Sequence, residues 1–140
     1  YINPSNSKEN KCEKGAYVVN LTSHDNNVTL VASGTEVELA LKVQDKLKEN
    51  NIHSKVVSMP CMELFDKQPE DYRKDILEEN SLIITLEAGS VMSWQKYIKN
   101  KGANLGIDKF GESAPYKEVY KHFKLSEEDI TNFIQKKLRE

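Results

Sequence analysis

The segment VTLVASGTEVELAL, residues 28–41, places a strand, a tight turn and a helix in direct succession. Its first residues, VTLVA, form a nearly continuous apolar run, which is typical of a strand covered on both faces, as strands of parallel sheets are. The turn falls at Gly34, and a helical pattern begins at Glu36. This succession is the first half of a βαβ unit, and it predicts an α/β fold.

The composition limits the classes of partner. A chain of 140 residues fits one domain and is long enough to bury a core. Its 20 Lys and Arg residues nearly balance its 22 Asp and Glu residues, so no strong field favours nucleic acid or an anionic membrane. No apolar run approaches the roughly 20 residues that span a bilayer. We therefore expect no nucleic-acid partner and no membrane partner.

The cysteines and the first residue bear on location. The two cysteines are Cys12, in a polar segment, and Cys61, so a disulfide scaffold is not favoured and a reducing, intracellular compartment is expected. The first residue is Tyr1 rather than Met, which is compatible with a start inside a longer polypeptide. The lack of a signal pattern then says little about where the parent protein is located.

The pattern along the chain predicts a linker, residues 1–14, and one domain, residues 15–140. Within the domain, residues 59–65 are interpreted as an irregular loop, and a short helix is expected after Pro69. Further helices are predicted over residues 36–50, 92–100, 116–123 and 126–138, and strands over residues 16–21, 28–32, 54–58, 82–86 and 104–107. The last helix has a capping-box start, since Asp129 follows Ser126 by three positions.

The sheet is expected to be mixed. Only the polar residues TSHDNN, residues 22–27, separate the first two strands, which suits an antiparallel hairpin and is too short for a parallel crossover. The next two strands are joined by a helix and should be parallel. The predicted architecture is a sheet of about five strands, one of them antiparallel, between helical layers.

The turn Ser33-Gly34-Thr35-Glu36 is the first candidate site, because helix N-termini after strands often bind phosphate. A phosphate cradle usually has several glycines, and this turn has one. Glu36 and Glu38 in the first helical turn would also repel an anion. A structural turn is the favoured interpretation.

Metal binding and cysteine catalysis have little support. His24, His53 and His122 show no metal-ligand spacing, so a zinc site is not expected. Cys61 follows Pro60 at the end of a strand, where nucleophiles can occur, but no His and carboxylate set is evident to activate it. A small, buried thiol is the favoured interpretation.

Two acidic residues have better positions. Glu87 ends a predicted strand and Glu112 lies in the loop FGES, and open α/β sheets bind ligands beyond the carboxyl ends of their strands. A carboxylate pair, a helix cap and a contact with another domain all remain open for these residues. Because Trp94 and Phe110 flank the same region, we interpret it as a domain or subunit interface before an active site.

Several short sequence motifs, taken in their order along the chain, resemble those of a known family. GAYVV, VTLVASGTEVELAL, KVVSMPCMELFDKQ, the strand ending in EAG, WQKY and FGESAP together resemble the C-terminal domain of transketolase, from Gly15 onward. The resemblance implies a three-layer α/β/α domain with one antiparallel strand. It also implies a parent enzyme that transfers a two-carbon ketol unit from a ketose phosphate to an aldose phosphate in the pentose phosphate pathway.

The resemblance further implies that this domain has no catalytic, cofactor-binding or metal-binding residue. Thiamine diphosphate, Mg²⁺ or another divalent cation and the sugar phosphates would bind to the upstream domains of a homodimeric parent, cytoplasmic or plastid. A non-catalytic structural and interaction domain is the first hypothesis. The alternatives are a regulatory module that binds a nucleotide or anion near Gly34, Glu87 and Glu112, and, more weakly, a hydrolase that uses Cys61.

Overall fold

A five-stranded sheet forms the centre of the domain in the computed structural model, which describes residues 11–87, 92–98, 102–106 and 126–140. The strands are β1 (Tyr17–Leu21), β2 (Val28–Ala32), β3 (Ser54–Ser58), β4 (Leu82–Glu87) and β5 (Ala103–Gly106). The helices are α1 (Glu36–Glu49), α2 (Met62–Asp66), α3 (Glu70–Ile76) and α4 (Glu127–Leu138), with 3₁₀ helices at Lys11–Lys14 and Met92–Tyr97. No helix among these residues is long and apolar enough to cross a membrane.

The strand order is β1-β3-β2-β4-β5, with β1 antiparallel to β3 and the other pairs parallel. The predicted antiparallel strand is therefore present, but the prediction that it forms a hairpin with β2 is wrong. The backbone N–H groups of Thr22 and Asn27 donate to the carbonyls of Ser54 and His53, at 3.1 and 3.0 Å. The β1–β2 connection thus crosses the start of β3. As a result, β3 lies between β1 and β2, and β1 does not pair with β2.

Both faces of the sheet are covered. Neighbouring residues of a strand point to opposite faces, so Leu30 and Val31 of β2 belong to different apolar clusters. The first cluster includes Ala40, Val43 and Leu47 of α1 with Ile130 and Ile134 of α4. The second includes Phe65, Ile76, Trp94 and Tyr97, from α2, α3 and the second 3₁₀ helix. The domain therefore has the predicted three layers, and each large buried side chain contributes about 1.5 to 3 kcal/mol of transfer free energy.

Local predictions differ in their outcomes. Helix α1 and the capped start of α4 are confirmed, whereas residues 62–66 form α2 rather than an irregular loop. The helix predicted over residues 92–100 is a 3₁₀ helix in its described part. The final strand begins one residue before the predicted position. The helix predicted over residues 116–123 lies outside the described residues.

Candidate functional site at the carboxyl edge of the sheet

The carboxyl ends of β2, β3 and β4 lie along one edge of the sheet, because these strands are parallel and in register. The turn at Gly34 follows β2, Cys61 lies shortly after β3, and Glu87 ends β4. The structure thus brings three of the sequence candidates to one edge. Phe110 and Glu112 lie outside the described residues.

The turn after β2 leads directly into α1. Gly34 has a φ of 58°, in the left-handed region, and no atom lies within 4 Å of the position that a Cβ would take there. The backbone N–H groups of Glu36 and Val37 donate to the carbonyls of Ser33 and Gly34, at 3.2 and 3.3 Å. Two N–H groups at the helix start are thus used within the turn, and Glu36 and Glu38 place carboxylates beside it. This chemistry is poorly suited to a phosphate.

Gly15 connects the start of the domain to Cys61. Its carbonyl accepts a 3.1 Å hydrogen bond from the backbone N–H of Cys61. Its φ is +81°, and a Cβ at this position would lie 2.3 Å from both the Cys61 carbonyl oxygen and the Phe65 nitrogen. Only glycine fits here without a shift of backbone. The close approach fixes the entering chain against α2.

Cys61 is half-buried and lies just before α2. The 5 residues of β3 span roughly 16 Å at 3.3 Å per residue, and because His53 precedes this strand and Cys61 follows it, the two residues lie at its opposite ends. His24 lies in the β1–β2 connection, which crosses the same end of β3 as His53. His122 lies outside the described residues. The structure therefore brings neither described histidine to Cys61.

Glu87 is held by Trp94. The indole N–H of Trp94 donates a 3.2 Å hydrogen bond to Glu87 Oε2, and the Trp94 side chain is buried, with 2% exposure. The rings of Trp94 and Tyr97 form a T-shaped pair, and the Tyr97 ring forms a second T-shaped pair with Phe65 of α2. Trp94 thus both orients the carboxylate at the end of β4 and packs the second 3₁₀ helix onto the sheet.

Asp66, Lys96 and Tyr97 continue this set of contacts and were not among the sequence candidates. Asp66 accepts hydrogen bonds from the Tyr97 hydroxyl at 2.9 Å and from Lys96 Nζ at 2.5 Å. Partial burial opposes ionisation of Asp66, but these donors outweigh it and hold its pKa below the ordinary value. Burial, then the bond to Asp66, raises the pKa of Tyr97. Asp66 lies in the phrase FDKQ, and Lys96 and Tyr97 lie in WQKY. The sequence alone does not show that these two segments contact each other in the fold.

Metal binding has no support in the described part of the chain. Within residues 11–87, 92–98, 102–106 and 126–140, no three His, Cys, Asp or Glu side chains cluster in a way that could hold a metal ion. The polar groups described above instead connect structural elements to one another.

The fold is that of a three-layer α/β domain with a mixed sheet. At the carboxyl edge of the sheet, the described polar side chains join helices to strands. The family model described as "Transketolase-like TK C-terminal domain" matches residues 15–126. The chain belongs to this family of transketolase C-terminal domains, which confirms the resemblance.

Known transketolases give the same result. The chain is 38% identical over 120 residues to the chloroplastic transketolase of Solanum tuberosum, covering 84% of this chain and 16% of that protein. It is 34% identical over 125 residues to the transketolase of Aquifex aeolicus, covering 89% of this chain and 18% of that protein. The chain thus spans less than a fifth of these relatives.

Solved structures agree with the fold. A transketolase mutant structure from Pichia stipitis superposes with a TM-score of 0.82 at 30% identity, covering 92% of this chain and 18% of that one. The transketolase of Leishmania mexicana superposes with a TM-score of 0.77 at 37% identity, covering 86% of this chain and 17% of that one. The mixed five-stranded α/β architecture is therefore shared with transketolases.

Proposed function

We propose that this chain is the non-catalytic structural and interaction domain of a transketolase. The parent enzyme would transfer a two-carbon ketol unit from a ketose phosphate to an aldose phosphate. The observation that carries the proposal is the family match over residues 15–126, together with an edge of the sheet whose described polar groups bind other parts of the same domain. Among the matched structures is a Pichia stipitis transketolase in complex with sedoheptulose 7-phosphate, which supports a sugar phosphate as the parent's substrate.

The described residues do not fit thiamine diphosphate, the cofactor expected for the parent. A diphosphate needs N–H or cationic donors, and the turn after β2 instead presents Glu36 and Glu38 beside a single glycine. A bound Mg²⁺ needs several oxygen ligands, and the described acidic residues do not form such a set. We therefore assign the cofactor, the metal and the substrate to upstream domains, in a homodimeric parent of the cytoplasm or a plastid.

The interaction surface that we propose includes Glu87 and Trp94 at the carboxyl edge, with the sequence candidates Phe110 and Glu112, which lie outside the described residues. Because Trp94 is buried, its role there is to orient Glu87 rather than to contact a partner itself. A carboxylate fixed by a buried indole is preorganised for a basic group on a neighbouring domain or subunit. Glu87→Gln in the full-length enzyme should weaken that contact, with dimer dissociation and domain stability as the readouts.

The proposal is tested by activity. The purified 140-residue chain is assayed with thiamine diphosphate, Mg²⁺, a ketose phosphate and an aldose phosphate, beside the full-length enzyme under the same conditions. We expect turnover by the full-length enzyme and none above background by the isolated chain. Turnover by the isolated chain would contradict a non-catalytic role, and an inactive full-length enzyme would contradict the parent activity.

The regulatory alternative is tested by calorimetry. The chain is titrated with a panel of nucleotides and with inorganic phosphate at millimolar concentrations. We expect no heat of binding, because the carboxylates beside Gly34 disfavour anions. Saturable heat that is lost in Gly34→Val would support the anion-binding alternative instead.

A further inference from the structure

A groove lies between the edge strand and the first helix, on the α1 side of the sheet. It has a volume of about 460 Å³. Its apolar lining comes from Tyr17 and Val19 of β1, Val37 and Leu41 of α1, and Pro60 after β3. We call this surface the β1–α1 groove.

The groove exists because α1 only partly covers the edge strand. The register of β1 against β3 shifts between Val18 and Asn20, which brings the Asn20 amide to Gln44 of α1, with a hydrogen bond of 2.8 Å. This contact closes the far end of β1 against the helix. At the near end, Tyr17, Val19 and Leu41 remain only half-buried although they are apolar.

The entering chain leads to the same place. Cys12, in the 3₁₀ helix before β1, lines the groove, and the close approach of Gly15 to Cys61 and Phe65 fixes that helix in position. The family is a C-terminal domain, and the chain spans only 16% and 18% of the two relatives described above. The remainder of such a polypeptide would therefore join the domain through the segment that lines the groove.

We propose that the β1–α1 groove is the docking surface for the preceding domain of the same polypeptide. This inference rests on the proposed function, and it commits to one occupant. The partner surface should be apolar where it meets Tyr17, Val19 and Leu41. It should carry a basic side chain opposite Glu38, which lies at the rim of the groove with its side chain 70% exposed.

The test is photocrosslinking in the full-length polypeptide that ends in this chain. The variant Glu38→p-benzoylphenylalanine places the probe at the rim of the groove, where an exposed position tolerates it. The control is Glu49→p-benzoylphenylalanine, which has the same native residue, also exposed, at the opposite end of the same helix. We expect an intrachain crosslink to the preceding domain from position 38 and none from position 49.

Other outcomes overturn the proposal. Crosslinks between two copies from position 38 would assign the groove to a dimer interface, and equal or absent crosslinks at both positions would remove the docking role. Transketolase activity of the unmodified enzyme is measured in parallel. Activity without the position-38 crosslink contradicts only the docking surface, whereas the crosslink without activity contradicts only the proposed function.

A second variant measures the contribution of the groove to stability. Leu41→Lys is compared in the 140-residue chain and in the full-length polypeptide by thermal unfolding. If the groove is covered by the preceding domain, the melting temperature falls further in the full-length polypeptide, because a charge is then buried at the contact. An equal fall in both proteins would overturn the docking assignment.

Discussion

The Tyr97 hydroxyl donates a 2.9 Å hydrogen bond to Asp66 Oδ1, which joins two segments that are 31 residues apart in the chain. Lys96 Nζ binds the other oxygen of the same carboxylate. Because Asp66 ends α2 and Tyr97 ends the second 3₁₀ helix, this contact joins the helical elements that follow β3 and β4. It is therefore a direct target for measuring how this side of the domain is stabilised.

Tyr97→Phe removes the hydroxyl and keeps the ring contacts with Phe65 and Trp94. We expect the free energy of unfolding to fall by about 1 kcal/mol, as for other partly buried hydrogen bonds. Urea denaturation of Tyr97→Phe, Asp66→Asn and the double variant gives the coupling energy of the pair. Strictly additive effects would show that the two side chains do not stabilise each other.

The ionisation of Asp66 should make this stabilisation depend on pH. Its native pKa lies below the ordinary 3.8, because the bonds from Lys96 and Tyr97 outweigh the opposing effect of burial. A lowered native pKa stabilises the fold at pH values above the ordinary pKa of the carboxyl. This stabilisation is lost as the pH falls through the native pKa.

Thermal unfolding from about pH 6 to about pH 2 checks the sign. The difference in melting temperature between the wild type and Asp66→Asn should shrink as the pH falls. Tyr97, whose native pKa is raised above 10.0 by burial and by Asp66, titrates outside this window. A constant difference across the acid range would contradict the role of the Asp66 charge.

The sequence predicted the elements of this fold better than their pairing. Helix α1 and the Ser126 cap were predictable because their signals lie within a few neighbouring residues. The partner of β1 was not, because the loop after Leu21 suits a hairpin, and only the arrival of β3 between β1 and β2 changes the neighbour.

In the candidate site, too, the positions of residues in strands were predictable, whereas their contacts were not. The position of Glu87 at a strand end was predictable from a buried apolar run, but its bond to Trp94 was not. The contact between Asp66 and Tyr97 gives no periodic signal, because it depends on how two separate helical segments pack on one face of the sheet. Helix α2 was missed for a related reason, since its 5 residues are too few to show a helical period.

Gly15→Ala should be among the most damaging single substitutions in the domain. The added Cβ would lie 2.3 Å from backbone atoms of Cys61 and Phe65, at a φ of +81°. We expect a loss of about 3 kcal/mol or more, because both the left-handed conformation and the close approach are violated.

The matched control is Gly34→Ala. It also has a positive φ, 58°, but no atom lies within 4 Å of the added Cβ, so only the conformational cost of about 1 to 2 kcal/mol applies. Chemical denaturation of both variants gives the comparison. Equal losses of stability would show that the close approach of Gly15 to α2 adds nothing to the cost of the substitution.

Lys55 is a charged residue within the sheet, and its side chain is 3% exposed. Its Nζ donates to the Asp75 carbonyl at 2.8 Å and to Glu78 Oε1 at 2.9 Å. Lys55→Ala should cost about 2 to 4 kcal/mol, since it removes the buried stem and leaves the Asp75 carbonyl without this donor.

Lys55→Met is the informative comparison, because it keeps the volume of the stem and removes the charge. It should cost less than Lys55→Ala, since both variants remove the desolvation penalty of the buried charge but only methionine keeps the packing of the stem. The free energies of unfolding of the two variants, from urea titration, decide this. A methionine variant as unstable as the alanine variant would show that the ion pair, rather than the packing, carries the stabilisation.

Ser126→Ala tests the start of α4, the helix that packs Ile130 and Ile134 against the sheet. The Ser126 hydroxyl oxygen accepts a 3.3 Å hydrogen bond from the Asp129 backbone N–H, and the hydroxyl donates to Asp129 Oδ2 at 2.7 Å. Without the cap, the free energy of unfolding should fall by about 1 kcal/mol, because an N–H group at the helix start loses its acceptor. Ser126→Thr keeps a hydroxyl at this position and should retain most of the stability. If Ser126→Ala lost no stability in urea denaturation, the cap would contribute nothing, and α4 would be held by its apolar contacts alone.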